Sequence, residues 1–299
     1  MERRNFIRNT SLFAVGIGVF GKIRWNNDHY EGIDPTTSDI LGPFYRPGAP
    51  MRTNVVPKDI KADILHLSGT IFKEDGKTPY NDCLIEIWQC SPDGVYDNTS
   101  DEYKFRGAQK TKSDGKYLFT TCIPVPYTTN ESKSNYRPAH IHMRVSGKGE
   151  QDLVTQVYFK NDPYLEKDYA SRSPQAIHRI MEIKKNSKNE NAVIFNIVMT
   201  KEVILDDAGF QKIVGLYQMN EKTMVEFYRS DDLLFVKING QIDDALYYKG
   251  NNSFKDALDT TRIRFEPQEN GETKFFVEYI PDPDKGDWVK GTGKRLLKY

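Results

Sequence analysis

Two histidines in the segment 137–142 (RPAHIH) are the residues of this sequence best spaced for metal chemistry. In a β-strand, residues i and i+2 project from one face, so His140 and His142 point the same way and Ile141 points to the opposite layer. Neutral imidazole is the commonest protein ligand for metal ions. Two ordinary histidines of a strand would have the same spacing, so this pattern alone does not define a metal site.

The composition restricts what could complete such a site. The chain has 17 tyrosines but only five histidines and three cysteines, which excludes a four-thiolate zinc site and a disulfide framework. No His-Glu-x-x-His, Gly-x-Ser-x-Gly or phosphate-binding glycine loop occurs. Any metal ligands must therefore come mostly from tyrosine, histidine or carboxylates. Tyr96 and Tyr127 lie in turn or loop segments, although either one taken singly is best interpreted as a packing residue.

The elements that would position these residues are short strands. Residues 34–63 are rich in proline, threonine and glycine, which predicts an extended arm or loop. Strand-like segments separated by turn signals follow, and helical periodicity is almost absent. This pattern predicts an all-β protein whose catalytic domain, residues 34–207, is an antiparallel β-sandwich. The predicted strands cover residues 65–72, 82–90, 115–121, 140–145, 153–159 and 192–199.

Residues 211–299 are predicted to form a second, smaller β domain. Short alternating segments continue here with Asn-Gly turns at residues 239–240 and 270–271, and the region contains neither cysteine nor histidine. An accessory or interaction module is the expected role, because a fold alone confers no chemistry. Contact with a partner or a polymer through this domain, and assembly of a homo-oligomer, both stay open.

Charge and cysteine content exclude further classes. Forty-two basic and 42 acidic residues give a formal net charge of zero, which argues against a nucleic-acid-binding protein. Cys83 and Cys90 lie at opposite ends of one predicted strand at an odd spacing, so they should face opposite ways. Together with Cys122 they are expected to be buried free thiols.

Residues 1–25 read as an export signal. Three arginines precede a nine-residue apolar run, which is too short to span a bilayer as a helix. The segment 3–7 (RRNFI) is similar to the twin-arginine pattern. The prediction is an exported protein, periplasmic or membrane-associated through an uncleaved signal, with no transmembrane span; a cytoplasmic protein with an amphipathic tail is the alternative.

Several pieces of the sequence, in order, resemble the intradiol ring-cleavage dioxygenases, the family of catechol, hydroxyquinol and protocatechuate dioxygenases. The resemblance covers roughly residues 36–199, and its joint spacing is more specific than any one piece. The matching pieces are 41–45 (LGPFY) with 47–50 (PGAP), 85–89 (IEIWQ) with 94–96 (GVY), Tyr127 ten residues before Arg137, the segment 137–142, and 153–159 (LVTQVYF).

This resemblance implies a cofactor, a reaction and a set of site residues. The implied metal is non-haem Fe(III), held by Tyr96, Tyr127, His140 and His142. The implied substrates are a small catechol and O2, and the ring is cleaved between its two hydroxylated carbons to a muconate-type diacid. Tyr127 also corresponds to the tyrosinate that leaves the metal and accepts a substrate proton. Arg137 would stabilise negative charge on the ring. The side-chain amide of Gln156 would lie near both the substrate and one of the metal ligands.

Two other functions compete with this interpretation. A non-catalytic exported β-sandwich that acts as a binding or adaptor protein would make His140 and His142 incidental. A zinc hydrolase would need a carboxylate base near the histidine pair, and the nearest carboxylates, Glu150 and Asp152, lie in the turn region that follows. Catechol-type members carry a helical N-terminal dimerisation region, whereas the roughly 35 residues before the arm are expected to be mostly signal, and the C-terminal β domain lies outside the family pattern. The oligomeric state and the preferred ring substituent are therefore not specified.

Overall fold

The structure is a computed structural model that describes residues 22–26, 29–128, 135–203 and 205–297. It begins with an antiparallel hairpin of β1 (Lys22–Asn26) and β2 (His29–Ile33). The predicted export signal lies outside the described residues, apart from residues 22–25, which are in β1.

Residues 34–203 form two five-stranded β-sheets and a small two-stranded sheet, and they are called the two-sheet region below. Residues 34–63 form no strand beyond isolated β-bridges, which confirms the predicted arm. A 3₁₀ helix spans Pro174–Arg179. The strands of this region are β3 (Ile64–Phe72), β4 (Leu84–Trp88), β5 (Arg106–Lys110), β6 (Lys116–Cys122), β7 (His140–Ser146), β8 (Glu150–Gln151), β9 (Leu153–Phe159), β10 (Ile180–Met181), β11 (Lys184–Lys185), β12 (Asn191–Ile194), β13 (Ile197–Val198) and β14 (Thr200–Lys201).

The strand order is β10-β9-β7-β4-β5 in the first sheet and β11-β12-β3-β13 in the second, where β6 also pairs with β3, and the small sheet pairs β8 with β14. Most pairs are antiparallel as predicted, but β10 on β9 and both β12 and β13 on β3 are parallel. The strand predicted over residues 192–199 is interrupted between β12 and β13. The interruption lies where the Phe195 carbonyl accepts a hydrogen bond from the Tyr117 hydroxyl at 2.5 Å, and a side chain at Gly69 would collide with that carbonyl.

Side-chain alternation gives β7 two different buried faces. Ile141, Met143 and Val145 point into a hydrophobic cluster that also contains Ile85 and Ile87 of β4 and Leu65 and Leu67 of β3. The opposite face of β7 carries His140, His142 and Arg144, and all seven residues of the strand are buried. A second layer must therefore cover this polar face as well.

The three cysteines are buried and free, as predicted. Cys83 belongs to the cluster between the two sheets, whereas Cys90 belongs to a separate cluster on the side of His142 and Trp88. Burial raises the pKa of the Cys83 thiol to about 11, so it is protonated at neutral pH.

The C-terminal part is a closed eight-stranded barrel, residues 215–297, preceded by a short helix α1 (Asp207–Ile213). The Asp206 carboxylate caps this helix by accepting from the Gly209 amide at 2.7 Å. The barrel strands are β15 (Gly215–Asn220), β16 (Thr223–Ser230), β17 (Leu233–Ile238), β18 (Gln241–Tyr248), β19 (Ser253–Lys255), β20 (Thr261–Pro267), β21 (Thr273–Tyr279) and β22 (Val289–Leu297).

Sequence patterns identified most of the barrel strands but neither the helix nor the closing strand. β22 (VKGTGKRLL) carries two glycines and basic residues, so its composition is unlike a buried strand. It is a strand because it pairs with both β21 and β15 and removes their free edges. Aromatic rings fill the interior, among them Phe227, Phe265 and Phe275 with centroids 4.9–6.3 Å apart.

The barrel packs directly on the polar face of the first sheet. Leu233, Phe235 and Tyr247 of the barrel lie in the same hydrophobic cluster as Leu41 of the arm and Trp88 of β4. The barrel is thus part of the layer that covers the histidine face of β7. In the described part of the chain, no helix is both long and apolar enough to cross a bilayer.

Candidate metal centre and substrate pocket

The first sheet presents the two histidines beside residues of both neighbouring strands. His142 is paired with Trp88 on β4 and with Gln156 on β9, and His140 is paired with Tyr158 on β9. Paired residues in a sheet point to the same side, so these five side chains share the face away from the inter-sheet core. The expectation that both histidines project from one face is confirmed.

Two loops bring tyrosines over this face. Tyr96 lies between β4 and β5, two residues after Gly94, whose φ of +77° is a left-handed conformation that glycine adopts without strain. Tyr127 is held by a backbone bridge to Arg137, with N–O distances of 3.2 and 2.8 Å in the two directions. A side chain at Gly94 would stand 3.3 Å from the Tyr127 Cβ, so the small residue lets the two loops approach.

The four predicted ligands converge. The Nε2 atoms of His140 and His142 are 3.1 Å apart, and the Tyr96 hydroxyl is 3.3 Å from the His140 Nε2. The Tyr127 ring centroid lies 5.2 Å from that of Tyr96 and 5.5 Å from that of His140. The structure therefore gathers both tyrosines and both histidines around one small volume.

The chemistry of these donors fits a cation. The His140 Nδ1 lies 2.7 Å from the Pro138 carbonyl, so it carries the proton and leaves Nε2 with its lone pair toward the site. Burial lowers the pKa of both histidines, aided at His140 by the charge of Arg137, so both are neutral at pH 7. Across the described residues no group of three or more His, Cys, Asp or Glu could hold a metal ion, so a metal bound at the histidine pair would take its further ligands from tyrosine oxygen.

Aromatic rings close this volume from water. The Phe44 ring stacks on Tyr96 with centroids 4.4 Å apart, and the Trp88 indole stacks on His142 at 4.8 Å with the planes 6° apart. A side chain at Gly42, whose φ is +72°, would stand 3.5 Å from the His142 ring, so the arm passes close to this histidine. Burial raises the pKa of Tyr96 well above its usual value and also raises the pKa of Tyr127. Both side chains would therefore need a cation partner to lose their protons.

Arg137 is anchored beside the metal ligands by an ion pair that the sequence did not reveal. Its Nε and one terminal nitrogen donate to the two oxygens of Asp168 at 3.0 and 3.2 Å. The same nitrogen donates to Gln156 Oε1 at 3.2 Å and to the Tyr158 hydroxyl at 3.1 Å. Burial opposes the charge of Arg137, but Tyr158 and Asp168 outweigh it and raise the pKa, so the guanidinium stays charged.

Gln156 links this arginine to the arm. Its amide nitrogen donates to the Ile40 carbonyl at 2.8 Å while its oxygen accepts from Arg137. The Tyr158 hydroxyl donates to Asp39 at 2.8 Å, and Asp39 is in turn paired with Arg179. Asp168, Asp39 and Arg179 were missed because they lie in irregular segments or distant elements, where spacing carries no information about a contact.

A cavity of about 310 Å³ opens onto the tyrosine side of the site. Such a volume is at the small end of ligand pockets and admits a single aromatic ring with a modest substituent. Arg137 and Tyr127 form part of its wall, together with Ile40, Phe44, Lys167 and Asp284. Asp284 belongs to the barrel, so both parts of the protein contribute to this cavity.

Comparison with known proteins agrees with the geometry. The family model described as Dioxygenase matches residues 40–201. The chlorocatechol 1,2-dioxygenase of Rhodococcus opacus is 31% identical over 186 residues, an alignment that covers 55% of this chain and 72% of that protein. The catechol 1,2-dioxygenase of Candida albicans is 34% identical over 164 residues, covering 48% of this chain and 54% of that protein.

A solved structure is also similar. The wild-type catechol 1,2-dioxygenase of Acinetobacter radioresistens shares 25% sequence identity with a TM-score of 0.51, over 56% of this chain and 63% of that one. The region matched by the family model, residues 40–201, contains both histidines, both proposed tyrosines and Arg137. The chain therefore belongs to the intradiol ring-cleavage dioxygenase family and is an enzyme of that class. The chain spans only about half to three quarters of the length of these relatives.

Proposed function

We propose that this protein is a non-haem Fe(III) dioxygenase that cleaves a catecholic ring between its two hydroxylated carbons. The products incorporate both atoms of O2 and form a muconate-type diacid. One observation carries the proposal: Tyr96, Tyr127, His140 and His142 converge beside a cavity whose wall includes the charged guanidinium of Arg137.

The donor set favours ferric iron. Two phenolates are hard anionic ligands, and with two neutral imidazoles they suit Fe(III) better than a soft or divalent ion. When bound, the metal supplies Lewis acidity to the catechol oxygens. Tyr96, Tyr127, His140 and His142 would hold it, and no described carboxylate or thiol cluster competes for that role.

The surrounding residues bind and orient the substrate. Phe44 and Trp88 enclose the site and exclude water, which strengthens every electrostatic interaction within it. Arg137 holds a fixed positive charge at the cavity wall, where negative charge develops on the ring. Gln156 fixes the position of Arg137 through its oxygen and that of the arm through its nitrogen.

Tyr127 is the residue proposed to move a proton. It lines the cavity, and burial raises the pKa of its hydroxyl. Because burial disfavours its charged form, a Tyr127 phenolate would be a strong base, and its oxygen would accept the proton of a catechol hydroxyl. Tyr96 stacks on Phe44 and is not part of the cavity wall, and it is proposed to remain a ligand.

The test measures oxygen uptake with a panel of catechols, together with iron content and the visible spectrum of the purified protein. The wild type should bind about one iron per chain, show a red-brown tyrosinate-to-iron absorption band and consume O2 with catechol. Tyr127→Phe should keep the iron, shift the band and lose on the order of 100-fold or more in kcat.

Tyr80→Phe is the matched control, because Tyr80 is equally buried but lies in the inter-sheet core, with only a 3.3 Å hydrogen bond to the Lys148 carbonyl. It should leave colour and turnover unchanged. A colourless, zinc-loaded protein with all four ligands present, or a Tyr127→Phe variant as active as the wild type, would rule the proposal out and favour a non-catalytic binding protein. The export signal, with the periplasmic or membrane-associated location, stays a prediction.

A further inference from the structure

The connection between β21 and β22 of the barrel reaches the mouth of the catechol pocket. Asp284, in the middle of this connection, lines the same cavity as Phe44, Arg137 and Lys167 of the two-sheet region. Its carboxylate accepts a hydrogen bond from Arg172 at 2.5 Å, and this arginine also belongs to the two-sheet region. A barrel residue and a residue of the catalytic region are thus joined at the rim of the site.

The connection that carries Asp284 is an ordered turn. The Asp284 amide donates to the Asp282 side chain at 3.1 Å, and the amides of Lys285 and Gly286 donate to the Asp282 carbonyl at 3.0 and 3.1 Å. These bonds, with the ion pair to Arg172, define the direction of the carboxylate. The turn therefore holds the Asp284 carboxylate in one position.

Three contacts fix the barrel itself against the site. The Asp244 carboxylate accepts from the Leu41 amide at 3.3 Å, and the Tyr247 hydroxyl accepts from the Val154 amide at 3.0 Å. Arg144 of β7 donates to Asp231 of the barrel at 2.7 Å. Leu41 directly precedes the pocket residues Gly42 and Phe44, so the barrel and the pocket wall are positioned as one body.

The pocket is lined by the charged side chains of Arg137, Lys167, Asp168 and Asp284. Arg137 is compensated by Asp168 inside the pocket. Across the described residues no carboxylate lies within 4.0 Å of the Lys167 ammonium, which stands 5.6 Å from the centre of the Tyr164 ring. Among the described residues, the rim therefore carries the Lys167 ammonium, which has no carboxylate within ion-pair distance, and the exposed Asp284 carboxylate, which is paired with Arg172.

We propose that Asp284 is a specificity-determining residue of this enzyme, which selects among catechols by the charge of the substituent that projects toward the pocket mouth. The inference rests on the proposed function, since it assigns the outer end of the same substrate pocket. By neutralising Arg172 and lowering the positive potential at the mouth, the Asp284 carboxylate disfavours an anionic substituent and favours a cationic one. The barrel thereby disfavours carboxylate-bearing catechols and favours those with a cationic side chain.

The experiment compares Asp284→Asn with the wild type on three substrates: catechol, 3,4-dihydroxybenzoate and dopamine. The substitution removes the carboxylate and leaves Arg172 without its anionic partner, so both effects make the mouth more positive. Relative to catechol, kcat/KM should rise about three- to tenfold for 3,4-dihydroxybenzoate and fall by a similar factor for dopamine. Lys167→Gln should shift both ratios the opposite way.

Asp287→Asn is the matched control, because it removes the same charge from the same connection at an exposed position outside the cavity lining. It should leave both ratios unchanged. Ratios that do not move in Asp284→Asn, or that move equally in Asp287→Asn, overturn the proposal.

Calorimetric Kd values for the same compounds separate this proposal from the proposed function. Turnover without an Asp284-dependent ratio refutes only the role of Asp284. Asp284-dependent binding without turnover refutes only the dioxygenase reaction. A protein that neither binds nor oxidises any of the three refutes both.

Discussion

Tyr96 and Tyr127 are phenols in a place where a phenolate is costly without a cation. Burial raises the pKa of both hydroxyls, and the two neutral histidines bring no compensating charge. A bound cation reverses this balance, so metal binding and loss of the phenol protons are coupled. These same enclosed positions would leave the phenols as ordinary packing residues in a protein without metal.

Asp168 is the residue that sets the position of Arg137. Burial would raise the pKa of its carboxyl, but the ion pair with Arg137 outweighs burial and lowers the pKa, so Asp168 is charged. A carboxylate meets the guanidinium with two oxygens, at 3.0 and 3.2 Å. An amide in its place offers only one acceptor and no charge.

We expect Asp168→Asn to lower kcat/KM for catechol about 10- to 100-fold, because a displaced Arg137 no longer stabilises charge on the ring. Iron content and the visible band should be retained, because Asp168 is not among the proposed ligands. Oxygen uptake and iron analysis of the same preparation check both statements. Asp101→Asn, at an exposed carboxyl outside the cavity lining, serves as the control. Loss of iron with unchanged turnover per iron would contradict the positioning role.

Among the elements, β7 contributes to two different environments through its two faces. Its odd-numbered residues form the inter-sheet core, and its even-numbered residues run from the histidines to Arg144. Arg144 ends this polar row in a buried network, donating to the Tyr45 hydroxyl at 3.0 Å and to Asp152 at 3.0 Å. Burial raises the pKa of Asp152 to about 7 even though the ion pair with Arg144 opposes the shift.

Arg144→Met should therefore destabilise the fold by ~3–5 kcal/mol, because it leaves Asp152 and Glu86 buried without their cation. Urea denaturation measures this change. The double variant Arg144→Met with Asp152→Asn should recover part of the loss, since the stranded charge is removed. Lys110→Met breaks the exposed ion pair with Asp82 and should cost less than ~1 kcal/mol. Equal effects for the buried and the exposed pair would disprove this account of β7.

In the molecule as a whole, the barrel meets the arm through a hydrophobic cluster and through Asp244, which accepts from the Leu41 amide. Burial, with repulsion from Asp256, raises the pKa of Asp244 well above its usual range, and burial also raises the pKa of Asp256. The folded protein therefore favours the protonated forms more than the unfolded chain does. This contribution to stability is complete below the unfolded pKa of about 3.9 and is lost as pH rises through the folded pKa.

Asp244→Asn should accordingly flatten the fall in stability between acidic and neutral pH, by up to ~1.4 kcal/mol for each unit of the pKa shift. The amide oxygen can still accept from the Leu41 amide, so the contact with the arm is kept. Denaturation midpoints measured from pH 4 to 8 check this. Asp259→Asn provides the opposite sign, because Arg262 holds the pKa of Asp259 below its usual value and its stabilisation is lost as pH falls. A steeper pH dependence in Asp244→Asn would contradict the prediction.

Several features followed from the sequence because they depend on neighbours in the chain. Alternation placed His140 and His142 on one face, and turn residues bounded most strands. The odd spacing of Cys83 and Cys90 put them in separate clusters. The resemblance in residues 36–199 added the tyrosines and the arginine, which the comparisons support at the level of the family.

The remaining features depend on contacts between residues far apart in sequence, which local periodicity does not encode. The strand that closes the barrel exists only through its two partners, β15 and β21. The ion pair of Arg137 with Asp168 bridges 31 positions, and the one of Arg172 with Asp284 bridges 112. Local sequence thus places His140 and His142 on one strand face and supplies the family signature. Neither the residues that hold Arg137 nor the barrel carboxylate at the pocket mouth could be predicted in this way, because both depend on how separate elements dock.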